Sequence, residues 1–270
     1  MLLALKLVLT PAVMVGATLA GRRWGGAVSG WLIGLPLTSG PLVLVLAVEH
    51  GNRFAAHTAL GSLSGAVAEA AFVLGYAFGG RVPLVAASLA FAAAAAAVHP
   101  LAFAYLVGIA PVALLVSLRL LPPFPVRTET TGRPPRWDIP ARAIAATALV
   151  LVLSASATTI GARLTGLLAV YPLYSAVLAT FARRLEGRAA AVGLLRGLLM
   201  GLFSFAAFYS VLAYSLLHTS TAVAFVAAVA AALTVQAASL RRILRRPASR
   251  SEPRLPPAVP SSASPAAPPR

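Results

Sequence analysis

Nine apolar stretches, each long enough to cross a lipid bilayer, run through this chain with almost no charge inside them. A hydrocarbon core of about 30 Å takes about 17–25 helical residues. The stretches are Leu2–Ala20, Gly25–Val48, Phe54–Phe78, Val82–Val98, Leu101–Leu118, Ala143–Ile160, Leu164–Ala182, Ala189–Leu217 and Ala222–Leu240. Hydrocarbon offers no partner to a backbone N–H or C=O, so such stretches fold as helices that satisfy their own backbone. Only 10% of the residues are charged and 59% are hydrophobic, against about 25% charged in an average soluble domain. The chain cannot supply the polar skin of a water-soluble globule. The predicted fold is all-α, a polytopic membrane helical bundle of nine transmembrane helices with the lipid bilayer as its partner.

The first stretch lacks a basic residue at its start, and Arg22-Arg23 follow it. That order is the reverse of a cleavable signal, so it is read as an uncleaved span. Pro122–Arg142 is Pro-rich, polar and basic and reads as a loop. After Leu240 a Pro/Ser/Ala-rich tail holds too little apolar surface to pack and is predicted to be disordered. The organisation expected is a membrane repeat at 1–100, a linker span with a cytoplasmic loop at 101–142, a second repeat at 143–240 and a cytoplasmic tail at 241–270.

The arginines set the orientation. Of 22 basic residues only Lys6 is a lysine, and the net charge is +16. Nine spans place 18 of the arginines on one side and two, Arg53 and Arg163, on the other, while Lys6 and Arg196 fall within spans. Short cytoplasmic loops retain Lys and Arg, so the N-terminus is expected outside and the C-terminus inside. Basic residues spread over loops in this way report topology and imply no nucleic-acid partner. The Arg, Ala and Pro bias points to a bacterial chain, hence to the cytoplasmic (inner) membrane. Cysteine is absent, which removes disulfides, thiolate catalysis and cysteine-ligated metal.

An offset of 136 residues aligns Gly30–Phe78 with Gly166–Tyr214, giving 15 identities over 49 positions. Gly30, Pro36, Leu37, Ser39, Gly51, Gly61, Gly65 and Phe72 match Gly166, Pro172, Leu173, Ser175, Gly187, Gly197, Gly201 and Phe208. The offset equals five spans, an odd number, so equivalent helices run in opposite directions. Four spans, a linker span and four spans then form an inverted-topology repeat, the arrangement of many secondary transporters. The segments GWLIGLPLTSGPLVLVLAVEHG and GLLAVYPLYSAVLATFARRLEG resemble the GlpM type of small bacterial inner-membrane protein. The resemblance covers some fifty residues in each half. It implies a duplicated, fused form of a four-span unit and a link with glycerol metabolism genes and exopolysaccharide production. The second copy departs at the acid: Glu186 directly precedes Gly187, whereas Glu49 stands two before Gly51. No functional residue carries over from the resemblance.

Two prolines and two glycines interrupt the second stretch at Gly34–Pro41. A helix cannot continue through them undisturbed. Either a broken helix lines a polar site or neighbours pack a kink. On the first reading Pro36, Thr38, Ser39 and Gly40 bind a solute, faced by Tyr171, Pro172, Tyr174 and Ser175 at the equivalent place in the seventh stretch. Glu69 lies deep in the third stretch, and an acid at that depth is a functional hypothesis by default. Its depth matches that of Arg196 in the eighth, so Glu69 and Arg196 are expected either to form a structural ion pair or, failing that, to leave Glu69 as a coupling site. The pairs Gly61/Gly65 and Gly197/Gly201 are expected to let helices pack closely. The four histidines form no metal-ligand spacing, and neither a nucleophile–base group nor a phosphate loop occurs. The expectation is therefore a non-enzymatic protein without cofactor or metal, a small-solute secondary transporter with its site at the repeat interface. The alternative is a non-transporting membrane subunit that supports envelope polysaccharide assembly or export. Reporter fusions after Arg188 and at Arg250 should read cytoplasmic and those at Asn52 and Thr219 external; a cytoplasmic signal at both of the latter reverses the orientation.

Overall fold

The structure, a computed structural model, describes residues 12, 15–36, 39–122, 139–141, 144 and 171–244. Over these the chain is all-helical, with no strand among the described residues. Its helices are α1 (Gly26–Ile33), α2 (Ser39–His50), α3 (Asn52–Phe78), α4 (Pro83–Val98), α5 (Phe103–Leu120), α6 (Leu173–Glu186), α7 (Arg188–His218) and α8 (Thr221–Leu244). A further helical stretch at 15–24 precedes α1.

Among the described residues, four helices are long and apolar enough to cross a membrane: α3, α5, α7 and the Thr221–Ala238 part of α8. The apolar α4 is shorter. The expected second span is two helices, not one. It stops at Ile33, turns at 34–36 and resumes at Ser39, because proline lacks the N–H and crowds the preceding turn. The sixth span, apart from residue 144, and the first part of the seventh lie outside the described residues, as do Leu37 and Thr38. The fourth and fifth spans are separate helices, divided at His99-Pro100. Helix α8 runs to Leu244 through Arg241 and Arg242, past the boundary at 240 expected from composition, and the rest of the expected tail lies outside the described residues. Nothing in that stretch breaks a helix, and the first proline beyond it is Pro247.

The two longest helices form the centre. Within their most apolar windows, 78% of α3 and 72% of α7 is buried, against 22% for both α5 and α8. The outer pair therefore shows most of its apolar surface to the surroundings. Helix α7 packs on α1, α3, α5, α6 and α8, and α3 also packs on α2, α4 and α5. Hydrogen bonds at both ends show that α3 and α7 run antiparallel. Asn52, at the start of α3, accepts from the Thr221 hydroxyl at 2.7 Å and donates to the Thr219 carbonyl at 3.5 Å. At the other end Arg188 donates to the Ala77 carbonyl at 2.6 Å and Arg183 to the Gly80 carbonyl at 2.8 Å. Arg196 likewise reaches the Leu121 carbonyl just beyond α5, at 3.0 Å. Arginines thus occupy carbonyls that a helix end leaves without an intrahelical donor, where the dipole favours positive charge.

Both central helices begin after a glycine. Gly51 and Gly187, 136 positions apart, have φ of 85° and 91°, a region that other residues enter only with strain. Each lets the chain reverse within one residue, from α2 into α3 and from α6 into α7.

The tightest contact is the crossing of α1 and α7. A Cβ on Gly30 would overlap the Leu194 carbonyl, and one on Gly197 the Ala27 carbonyl. Gly34 and Gly201 meet backbone to backbone, a Cβ on Gly34 lying 2.8 Å from the Gly201 Cα. Gly197 and Gly201 lie at this crossing, where they meet a pair of the same spacing, Gly30/Gly34, on α1. Gly61 and Gly65 are buried within α3. A further pair, Gly75 and Gly79, seats α3 against Ala86, Ala87 and Pro83. Gly30→Ala or Gly197→Ala should each cost about 1–3 kcal/mol, read as a fall of several degrees in thermal midpoint of the purified protein. Gly108→Ala, with open space around it, should leave the midpoint unchanged or raise it.

Candidate functional site

The break after α1 and the start of α6 bring polar side chains into the apolar interior. Pro36 lies in the bend before α2, half-buried, while Ser39 and Gly40 in the first turn of α2 are buried. A Cβ on Gly40 would sit 3.6 Å from the Phe208 ring of α7. At the equivalent place Tyr171 and Pro172 are non-helical, and α6 starts at Leu173 with Ser175 fully buried in its first turn. Tyr171 packs edge-on to Phe72 of α3 and Phe91 of α4, with ring centroids 6.2 and 5.2 Å away. Its hydroxyl shares a 2.8 Å hydrogen bond with Ser88. Tyr171 therefore ties the start of α6 to α3 and α4, and its polar tip is already used. Tyr174 is half-buried against the core.

Glu69 is 5% exposed on α3, and its carboxyl lies beside the Ser175 hydroxyl. The two stop short of hydrogen-bond geometry, since Ser175 Oγ is buried without a partner. The same situation recurs twice. The Tyr209 hydroxyl of α7 lies beside the Ser39 and Ser62 hydroxyls, and the Tyr76 hydroxyl of α3 beside Thr180 of α6. The Tyr76, Tyr209 and Thr180 hydroxyls are all buried without a hydrogen bond. Ser62 donates back to the Thr58 carbonyl at 3.1 Å within α3. Buried polar groups are almost always bonded, so hydroxyls left open beside one another make this stretch of the interior chemically distinct from the apolar core around it.

Ser39, Glu69 and Ser175, singled out by sequence, are therefore in this interior cluster, each with a polar neighbour from another helix. Tyr209, Ser62, Tyr76 and Thr180 were missed. Ser62, Glu69 and Tyr76 are spaced by seven, which keeps them on one face of α3, and that signal was legible. Nothing in the sequence points to Tyr209, because a tyrosine beside Phe208 reads as core. The Glu69–Arg196 pair does not form. Glu69 turns toward α6, whereas Arg196, on the α5 side of α7, reaches Leu121. Equal depth on neighbouring helices does not make two side chains face each other, because each residue turns the helix by about 100°. Among the described residues no group of three or more His, Asp or Glu is arranged to hold a metal.

No family model, curated protein or solved structure matches this chain. The interior polar cluster is accordingly judged on its own chemistry. Glu69→Gln and Arg196→Gln, alone and combined, should give thermal stability losses that add to within about 0.5 kcal/mol. A larger coupling would mean that the two side chains meet in the folded protein.

Proposed function

We propose that the chain is a small-solute secondary transporter of the bacterial cytoplasmic membrane, with its site where α2 and α6 begin, between α3 and α7. The carrying observation is a buried acid, Glu69, with the open Ser175 hydroxyl beside it and the open hydroxyls of Tyr209 and of Tyr76 and Thr180 seven residues of α3 to either side. In a scaffold such groups would be bonded or replaced by apolar ones, because each open one costs stability. In a carrier they are the donors and acceptors that a solute completes. The reading takes the two halves as an inverted repeat. Supporting it are the antiparallel run of α3 and α7 and the matched turns at Gly51 and Gly187. On this reading the chain is a duplicated GlpM-like protein of nine spans, N-terminus outside, and Asn52 and Thr219 mark the outer face.

Ser175→Ala and Tyr209→Phe remove hydroxyls that have no hydrogen-bond partner among the described residues, so each should change stability by less than about 1 kcal/mol. In a thermal-shift screen of the purified full-length protein against small polar solutes, at least one solute class should raise the midpoint of the wild type. The rise should shrink or vanish in both variants. No shift from any solute, together with stable co-purification with envelope polysaccharide proteins, would replace transport by the supporting-subunit reading.

A further inference from the structure

A line of polar side chains descends one face of α3. Ser62, Glu69 and Tyr76 follow each other at intervals of seven, about 10 Å apart along the axis. Each has a hydroxyl from another helix beside it: Tyr209 at Ser62, Ser175 at Glu69, Thr180 at Tyr76. The stripe runs through the most buried helix of the bundle. Its lower end points toward Arg183 and Arg184, at the end of α6.

Glu69 stands in the middle of this stripe. It is nine residues from the end of α3 and seventeen from its start, hence about 14 Å and 26 Å from the two ends. The charged and titratable groups of the surrounding helices are placed elsewhere. Helix α4 carries none. In α5 they are Tyr105 and Arg119, near its two ends. In α2 they are Glu49 and His50, at its last turn. In α6 Tyr174 is half-buried and Arg183, Arg184 and Glu186 lie in the final turn. In α7 Arg188 bonds the Ala77 carbonyl, Arg196 the Leu121 carbonyl, Tyr209 lies at Ser62, and Tyr214 and His218 stack together at the far end. Only the Ser175 hydroxyl faces the Glu69 carboxyl among the described residues.

We propose that Glu69 is a proton-binding site, exchanging its proton past the Tyr76 hydroxyl with the face of the membrane at the Arg183 and Arg184 end of the bundle. A bare carboxylate so enclosed and without a cation beside it costs several kcal/mol. One carboxyl and one hydroxyl satisfy a proton, whereas a hard metal cation takes about six oxygens. The Tyr76 hydroxyl, beside Thr180, is the next open hydroxyl along the face toward the Arg183 end. The inference deepens the transporter reading and rests on it for what the proton drives.

Infrared difference spectra of the full-length protein in lipid bilayers, taken between acid and alkaline buffer, test this directly. A protonated-carboxyl C=O band that shifts in D2O is expected in the wild type. It should be lost in Glu69→Gln, displaced in Glu69→Asp and kept in Glu49→Gln and Glu186→Gln. Sodium at constant pH should leave it in place. Tyr76→Phe should slow exchange of the band into D2O several-fold. Absence of any Glu69-dependent band in the folded protein overturns the proton site, and a band removed by sodium replaces it with a metal-cation site. Unchanged exchange in Tyr76→Phe overturns the stripe as the path. A proton band without any solute response in the thermal-shift screen would count against transport alone, and a solute response without the band against this inference alone.

Discussion

The backbones of α1 and α7 touch at Gly30, Gly34, Gly197 and Gly201, and the position of everything polar in the interior follows from that contact. Lipid removes the usual hydrophobic drive between helices, so close van der Waals approach and interhelical hydrogen bonds hold a bundle together. With the side chains reduced to hydrogen, α7 lies directly on the short helix α1. That fixes the rotation of α7 and aims Tyr209 at Ser39, just past the end of the same broken segment. A bulkier residue at the crossing would move the break and the long helix apart and so dissolve the polar neighbourhood between them.

The interior carries a cost that the rest of the bundle offsets. Hydroxyls of Tyr76, Tyr209, Ser175 and Thr180 and the Glu69 carboxyl lie where water does not reach them freely, and each open group is destabilising. Around them the arrangement is well satisfied. Thr58, Ser62 and Ser64 return their hydroxyls to their own helix, Ser204 reaches the Ala232 carbonyl at 3.0 Å, and arginines hold the helix-end carbonyls. Four of the open hydroxyls lie along α3, α6 and α7, while His99 Nε2, between α4 and α5, is another such atom elsewhere. What sets the centre apart is that its open hydroxyls adjoin a buried acid.

Arg196 and Glu69 illustrate what a linear reading omits. Their depths were comparable, yet one side chain points to α6 and the other to the end of α5. An arginine has length enough to find a backbone carbonyl at a helix end, where the dipole already favours it. The acid is left with a hydroxyl, which changes its role from half of a structural pair to the one buried charge-bearing group in the polar cluster.

Sequence alone determined the class of fold and the places where helices stop. Apolar runs without charge have only the helix as a solution in lipid, and Pro36, Gly51, Pro100 and Gly187 break the backbone through their own covalent restrictions, whatever surrounds them. It also marked Ser39, Glu69 and Ser175, because polar residues in such runs stand out. Tertiary structure decided which side chains meet. It joined Gly30/Gly34 to Gly197/Gly201, sent Arg196 away from Glu69 and brought Tyr209 to Ser39 and Ser62. Those outcomes depend on helix rotation and on the distance between axes, and both are set by packing between residues far apart in the chain.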